Sequence, residues 1–280
     1  MNYCIMLISL FLINVSLVAQ VEKMTFRGWQ NCYRIWNSVA EVVVDTETGG
    51  RVLSYKLHKG PDVIYSNPKL NGKLLADYQN EKFDPDGGRF DYTPESVTRQ
   101  IHDQTWFGNY NISAITDSSI TIISKPDTAL GLITTRTFAL WPGTSKLSVR
   151  QSWENISRDT VEYAYWSRTL VNAGGRLIVP LKSQGRTLTG GWGRYEWSEP
   201  KNKFGTDTSD SGIEILNDLL VFNTSLATNE KYGADAREGL MVYSFGSLFF
   251  VKKYHIYPHL KYVEEDFGLA CIFYLRKNQF

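Results

Sequence analysis

The sequence has few of the residues that bind metals. It contains three cysteines and four histidines in 280 residues, and no CxxC pair. His255 and His259 are four residues apart, but their segment favours a strand that runs into a turn at Pro258, where this spacing does not align two rings. We therefore expect no metal site and no other cofactor.

An excess of charge of either sign is also absent. Lysine and arginine total 30, aspartate and glutamate total 29, and the net charge is +1. Nucleic acids and anionic membrane surfaces attract proteins with a strong basic surplus. The charge balance therefore favours neither partner, and we expect no nucleic-acid partner.

Linkers, repeats and long amphipathic helices are missing as well. No Pro/Ser-rich stretch divides the chain, no repeat of fixed period occurs, and a helical hydrophobic period is not sustained over ten residues beyond the N-terminal segment. All-β folds commonly reach this length as one unit. We therefore expect a single domain over residues 21–280.

The longest apolar run lies at the N-terminus. Residues 4–18 are almost continuously apolar and lead to Ala19-Gln20, which is typical of a secretory signal peptide. A membrane anchor is the alternative, although a span needs about 20 apolar residues and Asn14 interrupts this run. We expect residues 1–20 to be a cleaved signal peptide, a periplasmic or extracellular location, and no stable membrane insertion after cleavage.

Export leaves two cysteines in the mature chain. Cys4 leaves with the signal peptide, whereas Cys32 and Cys271 remain. An oxidising compartment permits a disulfide between them. Two separate buried thiols are the alternative.

Aromatic residues and alternating patterns are abundant. Aromatic residues make up 14% of the chain, and they suit both strand packing and stacking on flat apolar faces. Alternation with a period of two, interrupted by Gly, Pro, Asn and Asp turns, predicts an all-β sandwich or barrel. The predicted strands are residues 40–44, 51–57, 119–124, 132–140, 146–153, 160–171, 176–181, 219–224, 240–243, 248–254 and 269–276.

Two long segments interrupt this strand pattern. Residues 73–107 and 183–212 are polar or glycine-rich, yet they carry several aromatic residues. Long loops in compact domains are usually functional or disordered, and disordered segments are poor in aromatic residues. We interpret both segments as loops, either at a ligand site or folded down over the sheet.

The order of several short motifs resembles a known family. Gly49-Gly50-Arg51 forms a first hairpin turn and Asp86-Gly87-Gly88-Arg89 follows, together with segments 60–65, 151–157 and 166–170. This order resembles the galactose mutarotase-like (aldose epimerase-like) superfamily, in an uncharacterised bacterial branch, over residues 33–275. The resemblance implies a β-supersandwich with a sugar site on its concave face, where Arg89 matches the sugar-contacting arginine.

The chain departs from the catalytic pattern of that family. Mutarotases of the family use a histidine as general acid and a glutamate as general base across the sugar ring. The segment that should supply the histidine, residues 163–168, contains none. The resemblance therefore does not extend to the standard mutarotase residues.

Three residues are candidates for acid–base catalysis. Glu95 is a candidate base or hydroxyl acceptor, and a solvated loop acid is the alternative interpretation. His102 is a candidate general acid, with an ordinary surface histidine as the alternative. His255 lies on a late predicted strand and either faces the concave side or points away from it.

Six residues are candidates for substrate binding. A guanidinium fork suits sugar hydroxyls or a uronate carboxylate, and Arg168 shares a strand face with Trp166 because they are two residues apart. The alternative for Arg89 is a structural role, in which it stabilises its glycine-rich turn by pairing with Asp86 or Asp91. Core or loop packing is the alternative for each tryptophan. The full set is Asp86, Arg89, Trp106, Trp166, Arg168 and Trp192.

These features predict an exported protein that binds a carbohydrate ligand in a cleft. Epimerase, lyase or hydrolase chemistry is the enzymatic interpretation. A non-catalytic glycan-binding module that lacks the acid–base pair is the alternative. A purely structural surface protein is a third hypothesis, and it predicts no concave polar cleft.

Overall fold

The computed structural model describes residues 19–77, 87–93, 103–181, 190–196, 203–204, 212–226, 230–236, 238–257 and 271–274. Within these residues the chain forms 19 β-strands, an α-helix of five residues and short 3-10 turns. The strands build four antiparallel sheets. The prediction of an all-β sandwich is confirmed, whereas that of one domain over residues 21–280 stays a prediction.

Sheet I has six strands and includes the N-terminal part of the described chain. Its strands are β1 (Gln20–Phe26), β2 (Trp29–Trp36), β3 (Ala40–Asp45), β4 (Val52–Leu57), β5 (Gly88–Thr93) and β10 (Ala164–Thr169). They lie in the order β1-β2-β3-β4-β5-β10. The edge strand β10 therefore returns to sheet I from a distant part of the sequence.

Sheet II is formed by the strands between β5 and β10 in sequence. They are β6 (Tyr110–Ile115), β7 (Ser119–Ser124), β8 (Leu132–Leu140) and β9 (Leu147–Asn155), paired in that order. Buried and half-buried residues alternate along the whole of β8, as the two-residue period of a strand requires. The short helix α1 (Asp103–Phe107) precedes β6.

Sheets I and II pack face to face over a first hydrophobic core. Burial of these apolar side chains is the main stabilising term of the sheet pair. The buried residues of this core are Ile35, Ala40, Val42, Val44, Val52, Val63, Ile64, Phe90, Tyr110, Ile120, Ile122, Phe138 and Leu140.

Sheets III and IV enclose a second core. Sheet III has the order β14 (Ile213–Leu216), β15 (Leu219–Asn223), β11 (Arg176–Pro180), β17 (Leu240–Phe245) and β18 (Leu248–Lys253). Sheet IV has the order β13 (Lys203–Phe204), β12 (Trp192–Glu196), β16 (Lys231–Ala234) and β19 (Cys271–Tyr274). The buried residues of the second core are Val179, Leu181, Trp192, Leu220, Phe222, Tyr232, Ala234 and Ala236.

Strand β18 connects the two halves. Leu248 and Phe250 pack against the first core, and the Phe250 ring meets Tyr55 edge to face with centroids 5.9 Å apart. The Lys252 ammonium donates to the carbonyl oxygen of Ser167 at 2.7 Å. Sheet III is thereby fixed against β10.

Cys32 is a free thiol buried beneath sheet I. It packs with Trp29, Val43 and Leu53 in a small separate core. Burial raises the pKa of the Cys32 thiol, and the nearby Asp45 carboxyl raises it further. The thiol therefore stays protonated and packs as a small apolar group.

The structure corrects the interpretation of the two long segments as loops. Residues 73–107 contain β5 and helix α1, and residues 183–212 contain β12 and β13. Arg89 therefore lies in a paired strand rather than in a loop. No helix in the described part of the chain has the length and apolar composition needed to cross a membrane.

Candidate functional site

Strands β5 and β10 bring four polar or aromatic side chains onto one face. Arg168 lies directly opposite Arg89, and Trp166 lies directly opposite Asp91. Directly opposed residues of an antiparallel pair share a face, and residues two apart along a strand also share it. We call the face that carries these four side chains the outer face.

The other side of the same strand pair, the inner face, packs into the first core. The Phe90 ring meets Phe138 with centroids 5.7 Å apart, and the Tyr92 hydroxyl hydrogen-bonds the hydroxyl of Thr134. Burial raises the pKa of the Tyr92 hydroxyl, so that it stays neutral. This packing fixes the backbone from which the outer-face side chains project.

Arg89 is held between a carboxylate and an aromatic ring. Its Nη2 lies 3.8 Å from Oδ2 of Asp91, and 6% and 2% of the two side chains are exposed. The guanidinium carbon lies 4.0 Å from the ring centroid of Trp106. A cation over an indole face is a favourable geometry, so Arg89 is oriented on two sides.

The Gly49-Gly50-Arg51 turn between β3 and β4 positions Trp106. The Gly49 amide donates to the carbonyl oxygen of Gly108 at 2.9 Å, and Nη2 of Arg51 donates to the carbonyl oxygen of Trp106 at 2.8 Å. Gly49 has a φ of +88°, and a Cβ there would lie 1.8 Å from that same Trp106 oxygen. Only glycine allows this approach of turn to helix.

Two buried carboxylates stabilise this arrangement. Asp45 accepts hydrogen bonds from the backbone amides of Glu47 at 2.8 Å and Thr48 at 2.7 Å, and burial raises the pKa of its carboxyl. Asp127 accepts from the amide of Thr105 at 3.1 Å and from its hydroxyl at 2.9 Å. The turn and helix α1 are therefore each tied down by a side chain that caps backbone donors.

Four of the predicted site residues meet at the outer face. Arg89, Trp106, Trp166 and Arg168 come together there, although they originate from β5, helix α1 and β10. Arg89 is buried, whereas Trp166 and Arg168 are half-buried. The accessible part of the cluster therefore lies along β10.

The other predicted residues lie elsewhere. Trp192 is buried in the second core, with its ring 6.1 Å from that of Tyr232. His255 is exposed beyond β18, with its ring 4.3 Å from that of Tyr257. Asp86, Glu95 and His102 lie outside the described residues.

The structure adds Asp91 to the cluster. From the sequence, Asp91 was considered only as a partner through which Arg89 would hold its glycine-rich turn. The strict alternation of polar Arg89 and Asp91 with apolar Phe90 and Tyr92 is the sequence signal for this strand. The glycines and prolines on either side of this segment indicate a loop, so the alternation was not recognised as a strand. The contact between Trp106 and Arg89 has no local sequence signal, because helix and strand meet only in the tertiary fold.

The outer face can recognise a polar ligand that also has an apolar side. A guanidinium remains protonated and offers several donors, and a carboxylate offers acceptors. The half-buried Trp166 adds a flat aromatic surface. Among the described residues, no group of three histidine, cysteine, aspartate or glutamate side chains could hold a metal ion.

Comparisons with known proteins give little further information. No family model and no curated protein matches this sequence. Among solved structures, the chain is similar to a TPR-domain containing protein from Parabacteroides distasonis ATCC 8503, with 14% identity and a TM-score of 0.45 over 77% of this chain. This chain spans 38% of the length of that protein. A similarity of this strength supports no inference about fold or function.

Proposed function

We propose that this protein is an exported carbohydrate-binding protein whose outer face holds a sugar unit. The observation that carries the proposal is the juxtaposition of Trp166 and Arg168 with Asp91 and Arg89 across the β5–β10 ladder. Sugars present hydroxyl groups along their edges and weakly polar C–H faces. The outer face offers donors from the half-buried Arg168 and the indole ring of the half-buried Trp166, and the buried Arg89 and Asp91 lie directly opposite them.

The arginines favour a ligand that accepts several hydrogen bonds. A guanidinium fork binds a carboxylate or a pair of hydroxyls in a bidentate manner. Arg89 is already oriented by Asp91 and Trp106, so less conformational freedom is lost when a ligand binds. Neutral sugars and uronates both belong to the proposed ligand class.

Two features of the sequence support the proposal further. The apolar N-terminal segment favours a periplasmic or extracellular protein. The motif order around Gly49-Gly50-Arg51 and Gly88-Arg89 resembles galactose mutarotase-like domains, for which a β-supersandwich is the proposed finer fold. Both features agree with a protein that meets glycans outside the cytoplasm.

Binding is favoured over acid–base catalysis at this face. Guanidinium groups stay protonated, so among its described residues Asp91 is the side chain suited to proton transfer, and it faces Arg89 at 3.8 Å. Catalysis requires an acid and a base across the ring. The enzymatic alternative assigns these roles among Glu95, His102 and His255.

The experiment is a glycan-array and thermal-shift screen of the full chain against neutral sugars and uronates, followed by calorimetry with the best ligand. Arg168→Gln should weaken binding about 10- to 100-fold, because a charge-assisted hydrogen bond contributes about 1.5–3 kcal/mol. Trp166→Ala should weaken binding by a comparable factor.

Arg150→Gln is the matched control, since Arg150 is exposed on β9, and its affinity should equal that of the wild type. Absence of binding to every ligand at millimolar concentration would refute the proposal. Turnover of the bound sugar in an anomer-exchange or reducing-end assay would support the enzymatic alternative instead.

A further inference from the structure

A cleft of about 340 Å³ opens where the turn between β1 and β2 meets the segment that connects β4 to β5. Arg27, Asp62, Ser66, Asn71 and Asn172 are among its lining residues. Pockets that bind small ligands have volumes of roughly 300–1,000 Å³ and contain a few fixed polar groups. The cleft therefore has room for one small polar ligand or one unit of a larger ligand.

Arg27 occupies a position that the turn alone does not explain. Arg27 and Gly28 have φ values of +50° and +94°, the left-handed pair of a hairpin turn that favours Asn-Gly. An arginine in this conformation is strained, and such strain concentrates at functional sites. The backbone conformation does not favour arginine at this position, so we look for the role of Arg27 in the contacts of its side chain.

The side chain of Arg27 forms a neutral, fixed pair with Asp62. Nη2 of Arg27 lies 3.4 Å from Oδ2 of Asp62, and its Nη1 donates to the Ser66 hydroxyl and to the carbonyl oxygen of Leu53. Oδ1 of Asp62 accepts from the Tyr55 amide at 3.0 Å. The positive and negative groups compensate each other, so the pair favours a neutral ligand over an ion.

Neighbouring side chains add hydrogen-bonding groups to this pair. The Asn172 side-chain amide donates to the carbonyl oxygen of Asp62 at 2.8 Å, and the exposed Asn71 also lines the cleft. The cleft lining therefore contains both donor groups and acceptor groups. A neutral polyhydroxylated molecule matches such a lining, because each hydroxyl both donates and accepts.

The cleft lies at one end of the outer face. Asn172 follows Arg168 by four residues, and the bridge between Ile64 and Val171 extends the ladder beyond β10. Residues two and four apart point to the same side of a strand, so Asn172 and Arg168 share a side. At about 3.3 Å per residue they are about 13 Å apart along the chain.

We propose that the cleft at Arg27 and Asp62 is a second carbohydrate subsite, which takes a neutral sugar unit of the same glycan that the outer face binds. This inference rests on the proposed function, because it assigns the ligand class from the outer face. It deepens that function by making the ligand an oligosaccharide. One sugar ring is too short to occupy both positions.

The test is calorimetric titration of the full chain with β-1,4-linked gluco-, manno- and galacto-oligosaccharides of one to four units. The tetramer of the preferred series should bind more tightly than its monomer. Arg27→Asn keeps a residue that suits the turn but removes the guanidinium. It should weaken tetramer binding about tenfold or more and leave monomer binding at the outer face unchanged.

Arg34→Gln is the matched control. The side chain of Arg34 is 30% exposed, as is that of Arg27, and it pairs with Glu22 at 3.5 Å on β1. Its substitution should leave both affinities unchanged. Asn71→Ala provides a second variant on the exposed wall, for which we expect a loss of about two- to tenfold in tetramer affinity.

The outcomes separate the two proposals. If Arg168→Gln weakens binding but tetramer and monomer bind equally and Arg27→Asn changes neither, the second subsite is refuted and the proposed function stands. If Arg27→Asn weakens binding and Arg168→Gln does not, the outer-face site is refuted, and with it the proposal that the cleft is the second subsite of a glycan held there. If no oligosaccharide or monomer of these series binds, the second subsite is refuted, whereas the proposed function is refuted only when the screen with neutral sugars and uronates also finds no ligand.

Discussion

Two buried arginines lie on opposite sides of β5 and have different kinds of partner. Arg136, which projects from β8 into the inner face, donates to the carbonyl oxygens of Gly50 and Phe90 at 3.3 Å each and to Oε1 of Gln151 at 2.6 Å. Arg89, on the outer face, pairs with the Asp91 carboxylate and lies over the Trp106 ring.

The difference separates two roles for a buried guanidinium. Arg136 connects the β3–β4 turn and β5 through backbone carbonyls and β9 through the side chain of Gln151, so it links three parts of the first sheet pair. Arg89 lies directly opposite the half-buried Arg168 on the outer face. We therefore interpret Arg136 as structural and Arg89 as part of a recognition surface.

The largest expected effect comes from Arg136→Met. The substitution leaves several buried carbonyl oxygens without a donor, and each such loss costs about 1–3 kcal/mol. We expect the free energy of unfolding, measured in urea, to fall by about 3–5 kcal/mol. Arg150→Met on the exposed side of β9 should change it by less than about 0.5 kcal/mol. Equal losses in the two variants would contradict the structural role of Arg136.

Gly49→Ala tests the turn that touches both arginine sites. Gly49 accepts from Arg136 through its carbonyl oxygen, and an added Cβ would meet the Trp106 oxygen at 1.8 Å. We expect a loss of about 2–3 kcal/mol in unfolding free energy, together with weaker sugar binding because helix α1 must shift.

Gly246→Ala is the control for this substitution. Gly246 also has a positive φ, +58°, but no atom lies within 4 Å of the added Cβ. Only the backbone strain remains, which costs about 1 kcal/mol. If the two glycine variants lost equal stability, the close approach of turn and helix would be refuted.

The smallest expected effect is on the pH dependence of stability and comes from Asp45, the buried carboxyl in the turn that contacts helix α1. Asp45 is held by backbone amides, and burial raises its pKa above the ordinary 3.8. The folded state then binds more protons than the unfolded state, so this group makes stability fall as the pH rises above about 3.8. Asp45→Asn should flatten that slope in urea unfolding at several pH values. The wild type is the reference, and an unchanged slope in the Asp45→Asn variant would contradict the assignment.

Much of the strand pattern was predictable from local alternation. The predicted strands 119–124 and 132–140 match β7 and β8 at both ends. The β1–β2 hairpin was missed, because its Arg27-Gly28 turn lacks the usual asparagine or aspartate before glycine. Strand β5 was missed because the glycines at its start and the proline after Thr93 indicate a loop.

The candidate site was predictable only where it follows from one strand. The shared face of Trp166 and Arg168 follows from their spacing, and the ladder with β5 confirms it. The stacking of Trp106 on Arg89 and the pairing of Arg27 with Asp62 join elements that are distant in sequence. Tertiary packing decides such contacts, and no local pattern encodes them.

The order of strands in sheet I has a consequence for how this protein is made. Sheet II, from Tyr110 to Asn155, is synthesised completely between the two strands of the outer face. The emerging chain can therefore complete five strands of sheet I and all of sheet II while half of the outer face is still missing. Closing this long loop carries an entropy cost that local hairpins avoid. Sugar binding at the outer face therefore requires that β10 has paired with β5. A chain truncated after Asn155 should form its hairpins but bind no ligand at the outer face.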